Sequence, residues 1–302
     1  MERQKISCAD PPDVVCVGQA VVDCITRGIR ENTPVPGRTQ ADSISLNTGG
    51  DAVNESFALA DMGIRAALVC VVGKDPAGRF ILDEAAKRGV MTDRITVSGT
   101  LATPVANMFV KEDGSRRSIT GRAASLPGYA PDPALLVGAK VVSLASLFRA
   151  PLEDADTIRA LIRRAHEQGA VICADTKLPT FAGIGPEAIE DVLPLIDYLF
   201  PNETEAAWYT GESTFEKMGQ RLLAYGVRHV VIKTGPEGLY ACSREECFAL
   251  PAVPVQAVDT TGAGDNLVAG FISGILRGES FRACCDRGLR RAALSIGHLG
   301  AN

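Results

Sequence analysis

The 302-residue chain is defined first by what it lacks. No apolar run approaches the roughly 18 residues needed to cross a bilayer, and residues 1–12 are polar, without an apolar stretch of signal-peptide length. A cytoplasmic protein with no membrane partner is the expectation. There is no excess of positive charge: 31 Lys and Arg stand against 36 Asp and Glu, a formal net charge of −5. The pairs Arg116-Arg117 and Arg290-Arg291 are too short for a phosphate-backbone footprint, so no nucleic-acid partner is expected. Only three histidines occur (His166, His229, His298), and no G-x-S-x-G, which removes the elbow of a serine hydrolase. The nine cysteines are odd in number and form no C-x-x-C pair, so neither zinc spacing nor a disulfide framework is present. Cys16, Cys70 and Cys173 lie in apolar runs and read as small reduced hydrophobes. A Walker A pattern is missing, as is G-x-G-x-x-G after the first strand, so P-loop and simple dinucleotide-binding readings lose their main support.

What is present is a foldable core, with 46% hydrophobic and 22% charged residues. Short apolar runs at 14–18, 67–72, 140–144, 170–175, 198–201 and 230–234 predict strands buried on both faces. Helical patterns at 51–62, 77–88, 154–168 and 214–225 lie between them, followed by Gly63, Gly89, Gly169 and Gly226 where a left-handed stop suits glycine. The alternation predicts an α/β fold: a mostly parallel sheet covered by helices. Residues 19–48 and 92–121 break the rhythm, alternating polar and apolar, with a turn signal at Glu112-Asp113-Gly114-Ser115. They predict a small, mostly antiparallel sheet projecting as a lid from one domain spanning 1–302. Val21, Ile25, Ile44 and Leu46 give that sheet apolar positions, and an apolar face exposed to water tends to find a partner.

Three segments carry chemistry. In Asp259-Thr260-Thr261-Gly262-Ala263-Gly264-Asp265, small residues precede an apolar helical pattern. Consecutive backbone amides at a helix N-terminus bind anions, and a carboxylate beside them can take a proton from a hydroxyl. An ordinary glycine loop capped by aspartate would look the same. In Thr48-Gly49-Gly50-Asp51-Ala52-Val53-Asn54, paired glycines allow close backbone approach to a ligand, and Asn54 could bond sugar hydroxyls. A plain loop-to-helix junction fits equally. In Pro201-Asn202-Glu203-Thr204-Glu205, Asn202 and Glu205 have capping-box spacing, which competes with a role near Mg²⁺ and phosphates.

Taken in order, Val17-Gly18 with Asp23, Gly49-Gly50 with Asn54, Asn202–Glu205 and Asp259–Asp265 resemble the PfkB (ribokinase-like) carbohydrate kinase family along nearly the whole chain. The resemblance implies a three-layer α/β/α, Rossmann-like fold with a small β-sheet lid. It implies an ATP- and Mg²⁺-dependent phosphotransferase with Asp265 as base and the Gly262, Ala263 and Gly264 backbone as anion hole. Asp23, Gly49, Gly50 and Asn54 would bind sugar hydroxyls, with Asn107 as a further pocket residue. Asn202 and Glu205 would serve phosphate and Mg²⁺, the latter through water, and Lys233, Gly235 and Gly238 would bind nucleotide. A monovalent cation such as K⁺ would sit at Asp259 and Thr261, with carbonyls near Ser295, His298 and Gly300. A later cation ligand of ribokinases has no counterpart before Asn302. Relatives pair their lids, so a homodimer is expected.

Departures bear on the acceptor. Gly49-Gly50-Asp51-Ala52 lacks the lysine of the usual Gly-Gly-Lys-Gly, which argues against a phosphorylated sugar or ribose and leaves a small non-phosphorylated sugar or sugar-like acceptor as the expectation. Ala145-Ser146-Leu147 stands where ribokinases place a glutamate, and Lys177 stands where ketodeoxygluconate kinases and fructokinases carry arginine. A nucleoside kinase and a catalytically silent sugar- or nucleotide-sensing protein are the alternatives. Phe109 is the only aromatic that 92–121 offers for stacking a base.

Overall fold

The computed structural model describes residues 11–29, 39–110, 116–179, 184–256 and 259–297. The strands, in chain order, are β1 (Val14–Val17), β2 (Val21–Arg27), β3 (Ser43–Gly49), β4 (Ala66–Val69), β5 (Val71–Gly73), β6 (Thr96–Ser98), β7 (Val105–Val110), β8 (Arg116–Thr120), β9 (Val141–Leu147), β10 (Val171–Thr176), β11 (Tyr198–Phe200), β12 (His229–Lys233), β13 (Leu239–Ser243) and β14 (Cys247–Leu250). The helices are α1 (Asp51–Asp61), α2 (Pro76–Lys87), α3 (Ala155–Glu167), α4 (Glu203–Thr210), α5 (Phe215–Ala224), α6 (Ala263–Ile275) and α7 (Phe281–Ser295).

The main sheet runs β14-β13-β12-β11-β10-β9-β1-β4. From β4 to β12 its neighbours are parallel, and β13 and β14 add an antiparallel edge. Every residue of β1 is fully buried, because side chains alternate between two covered faces. Val14 and Cys16 pack with Phe57, Leu68, Phe271 and Leu289 under α1, α6 and α7. Val15 and Val17 pack with Ile158, Leu161 and Leu222 under α3 and α5. The expected strands and helices therefore form, and Gly63, Gly89, Gly169 and Gly226 all have positive φ just past their helices. The run at 67–72 is not one strand, however. Its first part lies in the main sheet, and β5 leaves to pair with β6.

A second, four-stranded sheet has the order β3-β2-β7-β8, with β2–β3 and β7–β8 antiparallel and β2–β7 parallel. It draws on both irregular segments, but residues 92–104 add no strand to it: Thr96–Ser98 pairs with β5, and only the Pro104 carbonyl accepts from Val22 N of β2, at 2.9 Å. The turn signal at 112–115 lies outside the described residues. Period-two alternation gives this sheet two unlike faces. Val21 and Asp23 of β2, Ala106 and Met108 of β7, and Ser118 and Thr120 of β8 line the cleft against the main domain. Ile44, Leu46 and Ile119 are 69%, 59% and 54% exposed on the other side. Val21 and Ile25, expected among the outer apolar positions, are buried instead.

Candidate active site

Parallel strands leave their carboxyl ends on one edge of the sheet, where α/β folds bind ligands. Here that edge supplies Gln19 after β1, Lys177 after β10, Asn202 after β11 and Gly235 after β12 to a cleft of about 730 Å³. The small sheet forms its opposite wall, and the loop Thr260–Gly264 together with Asp265 lies along it. A second, mainly apolar cavity of about 720 Å³ continues beyond, lined by Val253, Val255, Leu267, Leu289 and Ile296 among others. The two share Lys233, Gly235, Thr260, Ala263 and Gly264, so the glycine loop separates a polar chamber from an apolar one.

α6 begins at this loop because Gly262 takes a left-handed cap conformation, φ 73°, that is costly for residues with a side chain. Asp265 sits in the first turn and is 5% exposed, and its Oδ2 accepts a 2.7 Å hydrogen bond from Asn54 Nδ2. Burial is the main cause that raises its pKa to about 7; Asp51 raises it further, while Lys177 and the Asn54 hydrogen bond pull it down. A carboxylate poised there exchanges a proton at neutral pH, which is what a general base requires.

Around it lies a charged lattice whose parts come from distant points of the chain. Lys177 Nζ lies 3.6 Å from Asp51 Oδ1, and Lys233 Nζ donates to Asp175 Oδ2 at 2.5 Å. Asp23 lines the cleft, and its pKa is raised to about 6 by burial and then by Asp51. Gly49 leaves room for it: a Cβ there would stand 2.1 Å from Asp23 Oδ2, so the carboxylate would have to turn away. At Gly50, φ is 98° and a Cβ would meet the Gln19 carbonyl oxygen at 2.3 Å. Gly50 thus lets α1 start against the end of β1, which brings Asn54 to Asp265.

Several expected roles are redrawn. Asn54 lines the cleft, yet its amide serves Asp265 directly. Asn107 does not line the cleft: its neighbours Ala106 and Met108 do, and alternation along β7 puts Asn107 on the outer face with Phe109. Asn202 and Glu205 form a reciprocal capping box. Asn202 Oδ1 accepts from Glu205 N, and Glu205 Oε2 accepts from Asn202 N, both at 2.9 Å. Thr176 Oγ1 also donates to Glu205 Oε2 at 3.0 Å. Asn202 still lines the cleft, whereas Glu205 is 3% exposed, and burial raises its pKa. Lys233 and Gly235 border both chambers, and Gly238 lines the apolar one.

The residues do not fit the expected monovalent-cation site. Asp259 Oδ1 accepts from Thr261 N at 3.0 Å and Thr261 Oγ1 at 2.6 Å, and Oδ2 accepts from Arg27 Nη2 at 2.9 Å. A guanidinium already holds the carboxylate, and a second cation against it would meet like charge. His298 and Gly300 lie outside the described residues. Arg27, Arg149 and the Lys177–Asp51 pair were not legible as a group. Arg27 and Arg149 sit in no motif, and only folding brings their elements to the site.

Comparison with known proteins agrees with this geometry. Residues 11–302 match the pfkB family carbohydrate kinase profile. The chain is 26% identical to the ribokinase of Schizosaccharomyces pombe, covering 96% of this chain and 93% of that one. It is also 26% identical to the cytidine kinase of Thermococcus kodakarensis, covering 93% and 94%. The structure of Arabidopsis thaliana ribokinase complexed with ribose and ATP superimposes with a TM-score of 0.77 at 26% identity, over 96% of this chain and 94% of that one. With the profile matched over almost the entire sequence and the fold shared with ribokinase, the chain belongs to the pfkB family of carbohydrate kinases, phosphotransferases with an alcohol group as acceptor.

Proposed function

We propose that the protein transfers the γ-phosphoryl group of ATP to a hydroxyl of a small, non-phosphorylated sugar or sugar-like compound. The observation that carries this is Asp265: buried, held by Asn54, with a pKa raised to about 7, and placed where polar cleft and glycine loop meet. Asp265 accepts the proton of the attacking hydroxyl. The Gly262–Gly264 amides, at the N-terminus of α6, stabilise charge on the transferring group. Preorganised donors of this kind are worth about 3–4 kcal/mol each in other enzymes. The apolar chamber suits an adenine ring, with Gly235 and Gly238 at its wall. Mg²⁺ would neutralise phosphate oxygens there. Among the described residues no cluster of three His, Cys, Asp or Glu could hold a metal, so the ion would be carried chiefly by phosphates and water near Asn202, with Glu205 behind it. Asp23 and the backbone at Gly49 and Gly50 orient the acceptor, and the four-stranded sheet acts as the lid that excludes water.

The acceptor class rests on the lid face. Its cleft lining is Val21, Asp23, Ala106, Met108, Ser118 and Thr120, none aromatic, while Phe109 lies on the opposite face. That favours a sugar over a nucleoside, whose base would gain from stacking. The exposed Ile44, Leu46 and Ile119 support a homodimer formed through the outer lid face. The eight described cysteines are all free, which suits a reducing compartment such as the cytoplasm. Among the described residues no helix is long and apolar enough to cross a membrane.

The test is ADP release with Mg·ATP across free sugars, sugar phosphates and nucleosides, beside an acceptor-free control. Turnover with a free sugar is expected. Turnover with nucleosides alone would replace the acceptor class, and none with any acceptor would favour a sensing protein.

A further inference from the structure

The Arg27–Asp259 pair joins two parts of the molecule that are 232 residues apart in sequence. Asp259 divides its two oxygens between them. Oδ1 accepts from the amide and hydroxyl of Thr261 and so shapes the loop that leads into Gly262. Oδ2 accepts from the guanidinium of Arg27, at the far end of β2. The Asp259 side chain is 8% exposed and that of Arg27 28%. A carboxylate so shielded requires a compensating charge. Lys233, a second cation beside the glycine loop, is committed to Asp175 at 2.5 Å. Guanidinium suits the task, since it cannot lose its proton and offers a rigid fork of donors.

Position matters as much as charge. Arg27 lies four residues beyond Asp23 on the same strand, and alternation puts both on the cleft side of the small sheet. One strand therefore carries both a wall of the acceptor chamber and the clamp on the anion loop. Backbone bonds from Asp259 N to Ile296 O at 3.3 Å, Ala263 N to Thr260 O at 3.3 Å and Asn266 N to Gly262 O at 2.9 Å join the same segment to α7 and to its own helix.

We infer that Arg27 is the built-in counter-ion of Asp259: it takes the place of a monovalent cation, fixes the 259–264 loop in its phosphate-binding shape, and ties that loop to the lid. The inference rests on the phosphotransfer reading above. Arg27 is a positioning residue, since it acts on phosphate through Asp259 and Thr261. Wild-type phosphate binding consequently does not depend on potassium, and removing the guanidinium creates a place where potassium helps.

The experiment is calorimetric titration of a non-hydrolysable Mg·ATP analogue into the wild-type chain, Arg27→Gln and Arg27→Lys. Each is measured in potassium chloride and in tetramethylammonium chloride at equal ionic strength. Wild-type and Arg27→Lys affinities should agree within about twofold between the salts. Arg27→Gln should bind about tenfold more weakly in tetramethylammonium, the size of a modest coupling between sites, and recover most of the loss in potassium. A loss of packing alone would not be repaired by potassium or by lysine. Tighter binding by the wild type in potassium would overturn the inference, and this comparison needs no variant to fold. So would an Arg27→Gln chain that binds like wild type, or one whose loss potassium leaves untouched. Absence of nucleotide binding by the wild type in both salts is a separate outcome, which would sink the phosphotransfer reading itself.

Discussion

Replacing Asp265 by asparagine should remove activity and raise stability, and the two effects have one cause. Burial holds the Asp265 pKa at about 7, well above the ordinary aspartate range. At 1.36 kcal/mol per pH unit, ionising this carboxylate costs the folded state about 4 kcal/mol relative to the unfolded chain. Asparagine keeps the shape, and its oxygen can still accept from Asn54, but it carries no charge. Its extra amide hydrogens need partners, so the net gain should be about 2–4 kcal/mol, or roughly 3–6 °C in melting temperature for a chain of this length. Because the folded pKa is raised, the folded state of the wild type binds the extra proton between pH 4 and 7. Wild type and variant therefore converge below about pH 4, separate as pH rises from about 4 to about 7, and keep a constant gap above that. The gain should be full at pH 8 and less than half as large at pH 5. Turnover should fall by at least about 100-fold, the contribution expected of a general base, while the nucleotide still binds. Thermal melts at both pH values and ADP release would measure the two effects. A variant no more stable at pH 8 than at pH 5, relative to wild type, would refute the claim that this carboxylate is held charged against its surroundings. Near-wild-type turnover would remove Asp265 from its role.

The dependence of kcat/KM on pH should rise with an apparent pKa of about 7. Asp51 raises that value and Lys177 lowers it, so Asp51→Asn should move the rising limb toward acid and Lys177→Met toward alkali; limbs that stay in place would show a different group titrating. Asp23→Ala should raise KM for the acceptor by about 5- to 150-fold, equivalent to 1–3 kcal/mol of lost hydrogen bonding, and leave KM for ATP alone; an unchanged acceptor KM would place the pocket elsewhere. Light scattering should give a dimer mass for the wild type and a monomer mass for Leu46→Lys, whose charge would lie on the outer lid face, and a wild-type monomer at high micromolar concentration would refute lid pairing.

Local order along the chain was enough for much of the framework. Strand runs buried on both faces, amphipathic helices and the glycines after them depend on residues close in sequence, so 3.6- and 2-residue periods expose them. The loop Asp259–Asp265 and the pair Gly49-Gly50 were legible for a related reason: their backbone needs small residues at fixed offsets. The period-two signal also marks the small sheet, but it cannot say which stretch pairs with which: Thr96–Ser98 pairs with β5 instead. Nor could it choose a face, and Asn107 fell on the outer side while its neighbours Ala106 and Met108 line the cleft. Asn54 read as a sugar ligand until α1 and α6 packed together and gave its amide to Asp265. Asp259 reads as a cation ligand through the family resemblance, and nothing along the sequence says which positive charge would otherwise pair with it. Folding supplies one from 232 residues away, on a strand of the other sheet. The sequence determined the elements and the chemical types at the loop, since these follow from neighbours along the chain. Which charges meet, and therefore which carboxylate is buried with a raised pKa and which is already paired, was decided only by the tertiary structure, because burial and Coulomb interaction depend on distance in space.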